Sequence, residues 1–396
     1  MNGSEQRRVS RRSFVAQLAA ASAAGVGLAA LGAAGAPKPI QGFEEEKAHP
    51  DAAKGWQPVS DRKIRVGIAG YGVCQFGAAF GFQDHPNVEV VAVTDLIPDR
   101  CAALAKACRC EKTYPSCEAM LQDDRIEAVF VATDAPSHAR LCVAALQRGK
   151  HVASAVPAVF GSIEDADKLL AAVKKSGLKY MMFETSYFHE DLHAWRQQYN
   201  AGGLGKLIYA EGEYYHYMAT PIDSYQGWRV GLPPQWYPTH SNAYYVGVSG
   251  GSFTAVSCLG MPSVLAHLQP SNNPYRNPFG TEIALFRTSE GGMARMAVSW
   301  DSQGPGGETG RVRGQKNDQV SASTSRPPLP PGVPAGGHGG SHGYLMSEFI
   351  DSILQNRPPL VDVARSLSMT VGGIMAHRSA LKGGELLKIP QFDARA

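Results

Sequence analysis

Ile64-Arg65-Val66-Gly67-Ile68-Ala69-Gly70-Tyr71-Gly72 is a mainly apolar run that ends on two glycines one residue apart. A run of this length closed by glycine reads as a buried strand, with the glycines forming a tight turn into a helix. Lacking Cβ atoms, Gly70 and Gly72 let a pyrophosphate approach the backbone at that helix N-terminus, with Val73 next in the turn. The third small position of the Gly-x-Gly-x-x-Gly pattern holds Gln75, and Gly77 comes two residues later. Asp95 strengthens the reading. It ends the next apolar run, Val88–Thr94, 23 residues after Gly72, where a carboxylate can hydrogen-bond a ribose hydroxyl. Leu96 and Ile97 follow, and no basic residue precedes Arg100 to hold a 2′-phosphate, so the pattern favours NAD over NADP.

Working outward, Ala128–Thr133, His151–Val156 and Tyr180–Phe183 read as further buried strands. Helical stretches at Cys101–Cys108, Ser137–Gln147 and Ile163–Lys175 alternate with them. Alternation of this kind predicts a doubly wound parallel sheet, a Rossmann domain over residues 62–185. From residue 186 to 396 the pattern changes to that of a second α/β domain with an open, mainly antiparallel sheet. Its expected strands are Leu207–Tyr217, Ser263–Leu268, Thr281–Thr288 and Gly292–Trp300. Residues 302–343, rich in Gly, Ser and Pro, read as a long surface loop, and helices at Tyr344–Leu354 and Val363–Leu381 close the domain.

The chain of 396 residues suits two such domains, and 44% hydrophobic with 18% charged residues excludes a largely disordered chain. The net charge of +3 is carried by the first 36 residues, which hold Arg7, Arg8, Arg11 and Arg12 against Glu5. The remainder is neutral and offers no electrostatic case for nucleic acid. Paired arginines before the Ala/Gly-rich run from Phe14 to Ala36 resemble a twin-arginine export signal, with small residues for cleavage before Pro37. The expectation is a periplasmic protein with no stable membrane span after cleavage. Residues 37–61 then form a polar arm, with Trp56 available to pack on a neighbouring subunit of a homo-oligomer. The seven cysteines lack paired C-x-x-C knuckles, so they read as small buried hydrophobes and not as metal ligands. One local bridge such as Cys110–Cys117 is compatible with an oxidising compartment.

Two segments are distinctive: Glu127–Thr133 running on through Asp134-Ala135-Pro136-Ser137-His138, and Ala145-Leu146-Gln147-Arg148-Gly149-Lys150-His151-Val152. Together they resemble the glucose–fructose oxidoreductase / inositol dehydrogenase / rhizopine-catabolism (Gfo/Idh/MocA) family over roughly residues 62–390. The resemblance implies a dinucleotide held by Gly70, Gly72 and Asp95, with Thr133, Pro136 and His138 near its nicotinamide half. Dehydrogenases of the family usually carry Glu-Lys-Pro after the fifth strand. Here Pro157 matches and Val156 stands in the lysine's place. The family's Asp-x-x-x-His becomes Trp236-Tyr237-Pro238-Thr239-His240. These departures resemble the family's NAD-dependent α-N-acetylgalactosaminidases, which share Val-Pro-Ala, Tyr-Pro-Thr-His and a Tyr-x-His, here Tyr214-Tyr215-His216. In that branch a held NAD oxidises the sugar at C3, the aglycone leaves, water adds and the sugar is reduced.

Oxidising a carbinol needs a group to take the hydroxyl proton, and valine cannot. His240 is the candidate base, with Tyr237 three residues before it to orient it. Tyr214 and His216 share one face of an alternating strand and Glu211, Glu213 and Tyr215 the other. His338 and His342 lie in a Gly-rich segment able to cover substrate, and Tyr187, Phe188 and His189 are further cleft candidates. No metal is expected. The chain therefore reads as an exported NAD-dependent oxidoreductase acting on a sugar, cyclitol or derivative. The alternatives are an NAD-dependent glycoside hydrolase or lyase, or a non-catalytic binding relative.

Overall fold

The computed structural model describes residues 51–318 and 323–393. The expected export signal and residues 37–50 of the expected arm lie outside the described residues. No helix among those described is long and apolar enough to cross a membrane.

Six parallel strands form the first sheet: β1 (Ile64–Ala69), β2 (Val88–Thr94), β3 (Thr113–Tyr114), β4 (Ala128–Val131), β5 (His151–Ser154) and β6 (Tyr180–Met182). They lie in the order β3-β2-β1-β4-β5-β6, the doubly wound arrangement whose ligand crevice opens at the carboxyl strand ends. β4 is buried at every residue, as a strand covered on both faces must be. Helix α1 (Phe76–Ala79) follows the glycine turn. Gly77 performs the packing role that Gln75 cannot. A Cβ there would lie 2.3 Å from the Gly70 carbonyl oxygen and 2.9 Å from Leu104. Gly70 itself has φ +97, and a Cβ on it would lie 2.4 Å from the Ala132 oxygen.

The second sheet has the order β11-β7-β10-β9-β8-β12. Its strands are β7 (Leu207–Tyr215), β8 (Phe253–Pro262), β9 (Phe279–Thr288), β10 (Met293–Ser299), β11 (Gly307–Gly314) and β12 (Leu387–Lys388). Only the β7–β10 pair among these is parallel. Two expectations fail here. Ser263–Leu268 is not a strand; the strand is β8, just before it, and Ala266–Leu268 forms a 3-10 turn. Residues 302–343 are not all loop, since Gly307–Gly314 is the edge strand β11, paired with β7. Its Gly-rich sequence hides a strand because an edge strand next to a helix has little side-chain volume to place.

Helices α2 (Thr239–Ser249) and α3 (Val363–Ala380) lie against this sheet. The first sits so close that a Cβ on Gly212 of β7 would fall 2.1 Å from the Ser241 carbonyl oxygen. Buried Glu282 of β9 fixes the approach. It accepts from Gln235 N at 2.8 Å and pairs with His377 Nδ1 of α3 at 2.8 Å. The described part of the arm packs on its own chain: Leu329 N donates to Ala52 O, and Trp56 lines a cavity with Tyr187 and Tyr344. All seven cysteines are free thiols, so the Cys110–Cys117 bridge is absent.

Gly77→Ala should destabilise the fold by about 1–3 kcal/mol, because the glycine turn and α1 cannot separate without losing β1 packing. Chemical denaturation of the two proteins measures the difference, and equal midpoints would refute the packing role.

Candidate active site

Two cavities meet at the carboxyl ends of the first sheet. The larger, about 410 Å³, is lined by Gly70, Gly72, Val73, Asp95 and Thr133. Its outer wall comes from the segment after β7, through Asp223–Gln226, Trp228 and Arg229, a contribution the sequence did not reveal. Arg100 lines it as well and pairs with Asp223 at 3.3 Å. The Asp95 carboxylate accepts from Tyr71 N at 2.8 Å and Ile97 N at 2.9 Å, so it is aimed by the turn it also holds shut. Gly70, pressed too close to the Ala132 backbone to carry a Cβ, Gly72 at φ +59 and a carboxylate at the β2 end, all lining this cavity, fit a dinucleotide.

Pro136, His138 and Pro157 are not among the walls of this cavity. His138 is buried, with Nδ1 2.9 Å from the Pro157 oxygen and Nε2 3.1 Å from the Thr133 oxygen. It ties the two strand-end loops together from behind, and Pro157 is its anchor.

The second cavity, about 40 Å³, brings together all four residues singled out for catalysis: Tyr214, His216, Tyr237 and His240. Phe76 and Arg229 line both cavities, so the two adjoin. Val156 contributes an apolar wall where the resemblance places a lysine. The Tyr214 ring meets His240 at 4.6 Å and its hydroxyl bonds His216 Nδ1 at 3.0 Å. Tyr237 lies 5.6 Å from His240, ring to ring, but it precedes α2, which begins at Thr239 with Pro238 as its cap. Burial pushes both phenols up, Tyr237 to about 12, so each stays protonated.

His240 is 3% exposed, and its chemistry is set by residues the sequence reading passed over. Nδ1 donates to Glu184 Oε1 at 2.9 Å, with Thr185 Oγ1 at 3.2 Å. Glu308 Oε1 lies 3.5 Å from the same nitrogen. With these contacts all on Nδ1, Nε2 is the ring nitrogen left to face the cavity. Burial alone would push the imidazole down, but the Glu184 and Glu308 carboxylates outweigh it and raise the group to about 9. Burial would raise both carboxyls, yet the His240 charge opposite them holds each below its ordinary range. The two carboxylates therefore favour the imidazolium over the free base at neutral pH. Donor atoms of Glu184, His240 and Glu308 lie within 4.8 Å of one another. The ion pair accounts for that closeness, and we assign no metal.

Glu184 could have been found, since it follows the last parallel strand, where ligands gather in doubly wound folds. Glu308 had no such signal. His189 reaches the cluster through Glu308, whose Oε2 is 3.3 Å from its Nε2. Tyr187 and Phe188 do not reach it and line a separate cavity of about 380 Å³ around Arg196. His338 lines the second cavity and bonds His342 at 3.0 Å, while His342 packs on Phe80 and lies outside that cavity.

Residues 64–184 match the Gfo/Idh/MocA family, described as an oxidoreductase family with an NAD-binding Rossmann fold. A glycosyl hydrolase family 109 protein of Bacteroides thetaiotaomicron is 29% identical over 162 residues, 39% of this chain and 34% of that protein. The chain thus aligns with about a third of the length of such relatives. A family 109 protein of Saccharopolyspora erythraea aligns more widely, at 25% identity over 79% of this chain and 74% of its own. Among solved structures, scyllo-inositol dehydrogenase of Lactobacillus casei with NAD(H) and scyllo-inositol has a TM-score of 0.65 at 18% identity, covering 83% of this chain and 99% of that one. A levoglucosan dehydrogenase has a TM-score of 0.69 at 15% identity, with 83% and 100% covered, which makes the shared fold plain. Residues 64–184 therefore carry the NAD-binding Rossmann domain of the Gfo/Idh/MocA oxidoreductase family, and the chain shares its fold with these solved dehydrogenases.

Proposed function

We propose that this protein exchanges a hydride between NAD and a secondary alcohol of a sugar, cyclitol or derivative, with His240 exchanging the hydroxyl proton. The observation that supports the reading is that Phe76 and Arg229 line both cavities, so a dinucleotide bound in the larger would have His240 in the cavity next to it. Bound NAD supplies the hydride acceptor or donor. The chain's own residues do the rest. Nε2 of His240 takes or gives the proton, while Glu184 fixes the ring through Nδ1. Tyr237 and Tyr214, kept protonated by burial, donate hydrogen bonds to oxygens of the ligand. Val156 and Trp300 give the cavity an apolar wall. Export by the twin-arginine route belongs to the same proposal. It suits a protein that captures its nucleotide before leaving the cytoplasm.

A second reading, glycoside hydrolysis through transient C3 oxidation, is favoured by the names of the family 109 relatives and by the protonated state of His240, which can assist a leaving group. Aryl glycosides offered without added cofactor separate the two: release of the phenol supports hydrolysis, and none supports net redox chemistry.

The outer face of the second sheet exposes Leu259, Met261, Ile283, Leu285 and Met293. An apolar face of this kind suits a second copy of the chain. Leu285→Glu should therefore lower the mass measured by light scattering, and an unchanged mass would remove that face as the interface.

Asp95→Ala should weaken NAD binding by about 1.5–3 kcal/mol, roughly ten- to a hundredfold. Nucleotide released from equal amounts of denatured protein reports it, and full occupancy in the variant would sink the assignment. His240→Ala should retain NAD yet lose about 10²–10⁴ in turnover, since a positioned proton-transfer group is worth that much. Near-normal turnover with NAD in place would transfer the role to another group.

A further inference from the structure

Trp236, where the resemblance expects the aspartate beside the histidine, turns its ring to Phe160, Tyr275 and His377. The carboxylates that reach His240 come from elsewhere. Glu184 follows β6 and is fixed by Ser186 N, which donates to its Oε1 at 2.9 Å. Glu308 comes from β11, outside the residues that match the family. The Ser186 hydroxyl donates to its Oε2 at 2.6 Å and His189 Nε2 stands 3.3 Å away, which aims Oε1 at the ring.

We propose that Glu308 is a positioning residue which, with Glu184, holds His240 as an imidazolium, so that the site meets its substrate as a proton donor set to reduce a ketone. This rests on His240 being the proton-exchanging group. In that direction the carbonyl carbon takes a hydride from NADH. The carbonyl π pair becomes the new O–H bond with the Nε2 proton, and His240 is left neutral until water reprotonates it. Oxidation is the reverse and must start from the neutral ring.

The groups facing His240 from the neighbouring elements leave these two carboxylates as its anions among the described residues. Tyr214 of β7 and Tyr237 before α2 are neutral phenols. His338, stacked 6.2 Å away, is pushed by burial down to about 3 and stays neutral. His189 lies beyond Glu308, 3.3 Å from its Oε2, and Arg229 is the cation that lines the same cavity as His240.

The test is an NMR pH titration of the NAD-bound protein labelled at its histidine rings, with His240→Gln assigning the signal. Glu308→Gln should lower the His240 midpoint by about one pH unit or more, a tenfold rise in neutral ring at a given pH. Glu308→Asp should recover part of the shift. Ser186→Ala, which frees Oε2 but keeps the charge, should shift the midpoint less and in the same direction, and it carries the test if Glu308→Gln does not fold. An unchanged midpoint in folded, NAD-bound Glu308→Gln would overturn the proposal. So would one equivalent of metal in the wild-type protein that is lost with Glu308, because a metal would then carry the positive charge. Neither result depends on turnover. The reading of His240 as proton carrier stands or falls separately, on the activity of the His240 variant.

Discussion

The buried bond between Glu184 and His240 is the constraint around which the second half of the chain is arranged. A carboxylate at 0% exposure is costly unless paired and hydrogen-bonded, and His240 is the cation within reach. Making that pair requires the carboxyl end of the parallel sheet to meet the first turn of α2 at hydrogen-bond distance. One follows the first sheet and the other lies against the second, so chemistry at the site itself helps fix how the two sheets meet. The supports follow from this. Gly212 lets α2 lie against β7, and the Glu282–His377 pair holds the turn that delivers Tyr237 and His240. Glu308 then reaches the same nitrogen because β11 extends the sheet by one strand beyond β7.

The nucleotide half obeys a simpler rule. Backbone must come close to a phosphate, so side chains are absent where the approach occurs. Gly70 and Gly77 are needed for different contacts, one against β4 and one against the carbonyl of the other. A shifted third glycine therefore leaves the turn intact. Asp95 is held by two backbone amides from the same turn and the start of the next helix, which orients it before any ribose arrives. Pre-orientation of this kind lowers the ordering cost of binding.

The doubly wound sheet was legible in the sequence because each of its long strands is a short, continuous apolar run, and that pattern survives without knowledge of the partner strand. Asp95 and the glycines were legible for the same reason, being tied to strand ends. His240, Tyr237, Tyr214 and His216 came from short motifs, and they do share one cavity. Glu184 and Glu308 were not found. An isolated glutamate carries no periodic signal, and it acquires meaning only when a distant histidine is folded against it. β11 was read as loop because it lies in a stretch, 302–343, rich in Gly, Ser and Pro, and itself carries three glycines. At a sheet edge those residues are allowed, since one side of the strand is solvent. The roof of the nucleotide cavity, residues 223–229, was missed for a related reason: a surface excursion after β7 has no pattern that names what it covers.

The departures at Val156 and Trp236 also make physical sense together. A lysine at 156 would add a cation facing Tyr214 and His240, and an aspartate at 236 would add an anion where Phe160, Tyr275 and His377 now pack. Removing both leaves the formal charge of the region unchanged, but it removes the group that resembling dehydrogenases use beside the histidine. The two glutamates replace the anion and do so from the Nδ1 side, away from the cavity. On the proposed reading, the His240 imidazole is then the group that meets the substrate oxygen and moves its proton. His240 shares that cavity with Arg229, and its own protonation state is set by carboxylates lying outside the cavity, on its Nδ1 side.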